Sequence, residues 1–181
     1  DDLQDTSIGI PLKIIQKCRE GLKQMGRNVT FQALFIEKNK NSFRKLQNYL
    51  ATLPQEEVST TALAGDFFEL RESILEWCGP NDFTFFFIDP KGWKNVVEIS
   101  TLSPLLQRSN SEFLINFMYE FLLRAHSQDL FQEDMRAIFG EIPETDGRSP
   151  EEKEEYLVKL YLKRLKEIVP ARGGKPCAVS V

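Results

Sequence analysis

The chain has 181 residues, of which 41% are hydrophobic and 28% charged, with a formal net charge of -4 and a pI near 5.2. That suits one globular domain with a sizeable core, and it gives no broad field for drawing in nucleic acid or an anionic membrane surface. No apolar run approaches the roughly 20 residues of a membrane span, and Asp1-Asp-Leu-Gln-Asp5 lacks the pattern of a signal peptide, so the expected location is the cytoplasm.

Residues 8–25 predict a helix, with Ile10, Ile14, Cys18, Leu22 and Met25 recurring about once per turn and Gly26 closing it. Phe31 to Ile36 predicts a strand that ends at Glu37. Ser42 to Leu53 returns to helical spacing and is ended by Pro54. Val58 to Ala64 predicts the second strand, ending at Gly65-Asp66, and Phe67 to Cys78 the next helix, stopped by Gly79-Pro80. Phe83-Thr-Phe-Phe-Phe-Ile88 then runs straight into Asp89-Pro-Lys-Gly-Trp93. Six largely apolar residues in a row predict a strand buried on both faces, as in the middle of a parallel sheet.

Val96 to Gln107 predicts a helix that Pro104 should kink or shorten. Glu112 to Met118 is the fourth predicted strand, followed by short helices over Tyr119–Ala125 and Leu130–Phe139. Ser149-Pro-Glu-Glu152 is a strong helix start, with serine as cap, proline first and glutamate third. That helix runs to about Val169, with acids early and bases late, as the helix dipole favours. Cys177 to Val181 reads as the start of a further strand.

Strand and helix in regular succession imply right-handed crossovers and a parallel, doubly wound α/β sheet. Glu37, Asp66 and Asp89 each follow an apolar strand directly. In such a sheet the strand ends point one way, and ligands bind just beyond them. One carboxylate can accept two adjacent ribose hydroxyls, and the acid after the next strand can meet an adenine amine. The competing reading of Asp89 is a helix N-cap. The chain has neither Gly-x-x-x-x-Gly-Lys-Ser/Thr nor Gly-x-Gly-x-x-Gly, and three acids would repel a pyrophosphate. A ligand with ribose and adenine but no phosphate fits better, and S-adenosylmethionine is one.

Cys18, Cys78 and Cys177 are far apart and odd in number, which predicts buried free thiols and no disulfide framework or metal site. The single histidine, His126, falls in a predicted loop, which disfavours a catalytic role.

The ordered set Ile-Gly-Ile-Pro-Leu (8–12), Phe-Ile-Glu-Lys (35–38), Gly-Asp-Phe (65–67), Phe-Phe-Ile-Asp-Pro-Lys-Gly-Trp (86–93), Leu-Ile-Asn-Phe-Met-Tyr-Glu-Phe (114–121) and Phe139-Gly140 resembles the three-Cys-motif partner protein (TcmP) family over about residues 8–140. The resemblance implies a Rossmann-like, methyltransferase-type fold: a mostly parallel sheet flanked by helices, with residues 126–176 as a helical cover on a single 1–181 domain. It implies S-adenosylmethionine as cofactor and a partner protein with three cysteines. It matches Glu37 to the ribose-binding acid, with Lys38 beside it, and Asp66 to the acid near adenine, with Phe67 against the ring. It matches Asp89 and Pro90 to the catalytic loop, with Trp93 stacking on a flat substrate or packing under the next helix. Asn116 and Glu120 are further candidate substrate contacts, structural in the plainer reading.

Two departures shape the functional expectation. Amino-methylating enzymes carry Asp/Asn-Pro-Pro and then an aromatic, whereas here Lys91 and Gly92 precede Trp93. A first central strand and its glycine-rich loop are not found before Ile8, and a last strand is not found after Val181, so the expectation is an internal piece of a longer protein. The leading function is then an S-adenosylmethionine-dependent methyltransferase, with nucleic acid as one expected substrate class. The alternatives are a non-catalytic partner or binding module of the same fold, and another nucleotide-using α/β enzyme.

Overall fold

The computed structural model describes residues 3–54, 58–119, 122, 124 and 129–170. The chain divides into two compact units, residues 1–69 and 70–181.

In the first unit, α1 (Gly9–Gln24), β1 (Gln32–Glu37), α2 (Lys40–Ala51) and β2 (Ser59–Ala64) follow in order. β1 and β2 run parallel, in register from Gln32 opposite Ser59 to Glu37 opposite Ala64. Asn39 starts α2 because its side-chain oxygen accepts from the N–H groups of Asn41 and Ser42, two donors that a helix start leaves free. Leu12, Leu46, Leu50 and Val58 form the core, with Ile8, Ile15, Phe31, Phe35 and Phe43 packed against it.

The inward face of α1 is not the predicted one. Ile10, Ile14 and Met25 lie 48%, 55% and 67% exposed, whereas Leu12 is buried. The helix carries two apolar stripes, and the one holding Ile8, Leu12 and Ile15 packs on the leucines of α2. Cys18 follows Ile14 onto the exposed side, so it is not the buried thiol expected of it; Cys78 is buried, and both are free.

The second unit holds α3 (Arg71–Cys78), β3 (Thr84–Ile88), α4 (Ile99–Leu106), β4 (Ser111–Ile115), α5 (Gln132–Phe139) and α6 (Pro150–Ile168). β3 and β4 are parallel, from Thr84 opposite Ser111 to Ile88 opposite Ile115. Its core is larger: Val97, Leu102, Leu105, Met135, Ile138, Phe139 and Leu157 are almost wholly sealed from solvent. The ring of Phe117 stacks on Tyr161 at 4.1 Å and meets Phe139 edge-on at 6.0 Å. Tyr161 donates its buried hydroxyl to the Val97 carbonyl at 2.8 Å, and burial pushes its phenol up from its ordinary pKa. Pro104 lies inside α4, which is only 8 residues long. At the head of α6, Ser149 and Glu152 form the reciprocal capping box, with Pro150 in the first turn.

β3 is also not buried on both faces. Phe86 and Ile88 are buried, with Phe86 stacked on Phe113 at 4.8 Å, while Phe85 and Phe87 are exposed. Side chains alternate across a strand, and the described residues cover only one side of this pair.

The architecture is therefore α/β with two small parallel sheets, order β1-β2 and β3-β4. Among the described residues, no helix is long and apolar enough to cross a membrane.

Candidate functional site

The three strand-end acids divide two and one between the units. At the carboxyl end of the first pair, the Gly65 N–H donates to the Glu37 carbonyl at 3.1 Å and extends the ladder one step past Ala64. Glu37, Lys38, Asp66 and Phe67 are thereby gathered at one strand-end edge. Gly65 and the turn after it let β2 stop there, and Asp66 completes the turn by accepting the Phe68 N–H on Oδ1 at 2.8 Å.

Both acids have local work. Glu37 Oε1 accepts the Asn39 N–H at 2.7 Å, and among the described residues no donor reaches Oε2. Asp66 Oδ2 accepts Lys38 Nζ at 2.7 Å; the Asp66 side chain is 23% exposed and that of Lys38 77%. The hydrogen bond from Lys38 holds the Asp66 carboxyl below its ordinary pKa, helped by the Phe68 N–H and opposed by partial burial. The same bond, with the charge of Asp66 behind it, raises the Lys38 ammonium above its ordinary pKa. Phe67 is half-buried in the turn.

At the carboxyl end of the second pair, the register that sets Ile88 opposite Ile115 sets Asp89 opposite Asn116. The Asn116 N–H continues the ladder to the Ile88 carbonyl at 2.8 Å. Its side-chain amide donates to Asp89 Oδ1 at 2.7 Å and its side-chain oxygen accepts the Met118 N–H at 3.3 Å. Asn116 is thus held at both ends, and Met118 takes a left-handed φ of 49° just beyond it. Asp89 is exposed and Pro90 half-buried. Trp93 packs edge-on against Phe131 at 5.6 Å, and its carbonyl accepts the N–H groups of Val96 and Val97. Lys94, next to it, pairs with Asp134 at 3.6 Å.

Asp89 and Asn116, 27 residues apart in sequence, form one hydrogen-bonded pair. So do Lys38 and Asp66, whose mutual contact the sequence did not announce. Arg148 places its guanidinium 4.2 Å from the Tyr156 ring centroid and donates to the Glu144 carbonyl, which ties it into its own unit. Glu120, His126, Cys177 and the predicted strand to Val181 lie outside the described residues.

No family model, curated protein or solved structure matches the chain.

Proposed function

We propose that the protein is a cytoplasmic, Rossmann-like methyltransferase of the three-Cys-motif partner type that uses S-adenosylmethionine, with nucleic acid as the proposed substrate class. The observation that carries the reading is the pair Glu37 and Asp66 at the carboxyl end of two adjacent parallel strands. The donor and acceptor chemistry fits the cofactor. Glu37 keeps Oε2 for ribose hydroxyls, Asp66 offers a carboxylate to the adenine amine, and Phe67 lies beside it as an apolar wall. Lys38 at this edge is paired with Asp66, and the two acids would repel the charge of a phosphate chain.

S-adenosylmethionine, when bound, supplies an electrophilic methyl group. The contribution of the chain under this reading is positioning and an electrostatic hold on the nucleophile. Asp89 is the acceptor: with Oδ1 taken by Asn116, Oδ2 is left for the hydrogen of an attacking amine or hydroxyl. Pro90 stiffens the loop immediately after it. The net charge of -4 confines any nucleic-acid contact to a local strip.

Calorimetry of the full-length protein with S-adenosylmethionine and S-adenosylhomocysteine tests this. Binding that weakens at least about tenfold in Glu37→Ala supports it, since hydrogen bonds to a charged group are lost. Absence of binding by the unaltered protein removes it.

A second reading is favoured by one contact: Trp93 packs on Phe131, so its ring is engaged within its own unit. The fold would then serve as a partner module for a protein with three cysteines. Stable capture of that partner, with no methyl transfer to nucleic acid or protein, distinguishes it.

A further inference from the structure

At the strand-end edge of the first unit, the two acids differ in what they have left to offer a ligand. Glu37 retains Oε2. Asp66 has both oxygens engaged: Oδ1 holds the Phe68 N–H and Oδ2 holds Lys38 Nζ at 2.7 Å. The Asp66 side chain is only 23% exposed, and the Lys38 ammonium is bonded to its Oδ2. Lys38 comes to Asp66 from the residue immediately after β1, and its side chain is largely in solvent. Its stem is long and flexible, and nothing buried would be disturbed by its departure.

We propose that Lys38 is a removable latch on the nucleoside site, which gives way only to a ligand bringing its own donor to Asp66. The inference rests on the nucleoside reading above and assigns Lys38 a different part from that of a cofactor contact. An exocyclic amine on a purine can replace the ammonium, donor for donor. A purine without that amine cannot, so Lys38 stays on Asp66 when such a ligand binds. Only 6-aminopurines therefore compete with the latch, and their apparent affinity is reduced to the fraction of time that it is open. An exposed ion pair is weak, so the latch is still open for about a sixth to a half of the time and the affinity loss is about two- to sixfold. Salt screens the pair and opens the latch.

The test uses adenosine and purine riboside, which lacks the amine, titrated into the full-length protein, Lys38→Met and Lys38→Gln at low and high salt. The expected result is adenosine binding about two- to sixfold tighter in both variants at low salt, a gain that shrinks at high salt, and purine riboside binding unchanged. Adenosine binding that is unchanged or weaker in the variants overturns the latch. An equal gain for both nucleosides also overturns it, because the effect would then not act through the amine. If neither nucleoside binds any of the three proteins, the nucleoside reading itself fails and the latch falls with it. Binding by the unaltered protein without the adenosine-specific gain sinks only the latch.

Discussion

The two units solve the same local problem differently. Each ends a pair of parallel strands on an acid, Asp66 in one and Asp89 in the other. In the first unit the acid is anchored by charge, through an exposed lysine and backbone N–H groups. In the second it is anchored by a neutral amide that is itself locked to the next turn. The surroundings differ in the same sense. Behind Asp66 stands a core of four buried residues with partly buried ones packed around it. The second unit has a close-packed helical core, including the three-ring group of Phe117, Phe139 and Tyr161. An anchor made of one flexible, hydrated side chain can be exchanged for a ligand. An anchor fixed at both ends is better suited to hold a carboxylate in one orientation.

The comparison is sharpened by substitutions whose effects on stability should fall in a definite order. Phe139→Ala should be the largest, about 3–5 kcal/mol by denaturant unfolding, because it opens a cavity at a sealed position touching two aromatic rings. Gly140→Ala should follow at about 1–2 kcal/mol. Gly140 closes α5 at φ +78°, and a β-carbon there would lie 2.6 Å from the Arg164 guanidinium. Repeating Gly140→Ala on an Arg164→Ala background should recover part of that loss; no recovery would mean that the backbone angle alone sets it. Ser149→Ala should cost about 1 kcal/mol by dismantling the capping box of α6.

Lys38→Met should be the smallest, because the ion pair is exposed. Its pH signature is specific. The Asp66 carboxyl is depressed in the folded protein, so the stabilisation it contributes is present above its unfolded pKa of about 3.9 and is lost as pH falls through the lower folded value. Lys38→Met should flatten that acid limb. A Lys38→Met effect larger than that of Phe139→Ala would break the contrast between the units.

Much of this was legible in the sequence, and the failures have physical causes. The four strands and the acids after three of them were readable because apolar runs stopped abruptly at polar residues. The head of α6 was readable because its cap is entirely local, within Ser149 to Glu152. The inward face of α1 was misread because Ile10, Ile14 and Met25 compete with Ile8, Leu12 and Ile15, and spacing cannot say which stripe meets the leucines of α2. β3 was misread because six apolar residues look alike whether one face is covered or two. The Lys38–Asp66 and Asn116–Asp89 contacts span 28 and 27 residues and depend on strand register, which a parallel pair does not write into its turns. Given the pairing of Ile88 with Ile115, the contact between Asp89 and Asn116 follows at once.

The central claim is that a nucleoside sits at the carboxyl end of β1 and β2. Backbone amide NMR of the full-length protein, titrated with S-adenosylhomocysteine, tests it most directly. The account predicts saturable shifts centred on the N–H groups of Asn39, Gly65 and Phe68, which report on Glu37 and Asp66. Saturable shifts that leave those three amides unmoved, or no shifts at all, would contradict it.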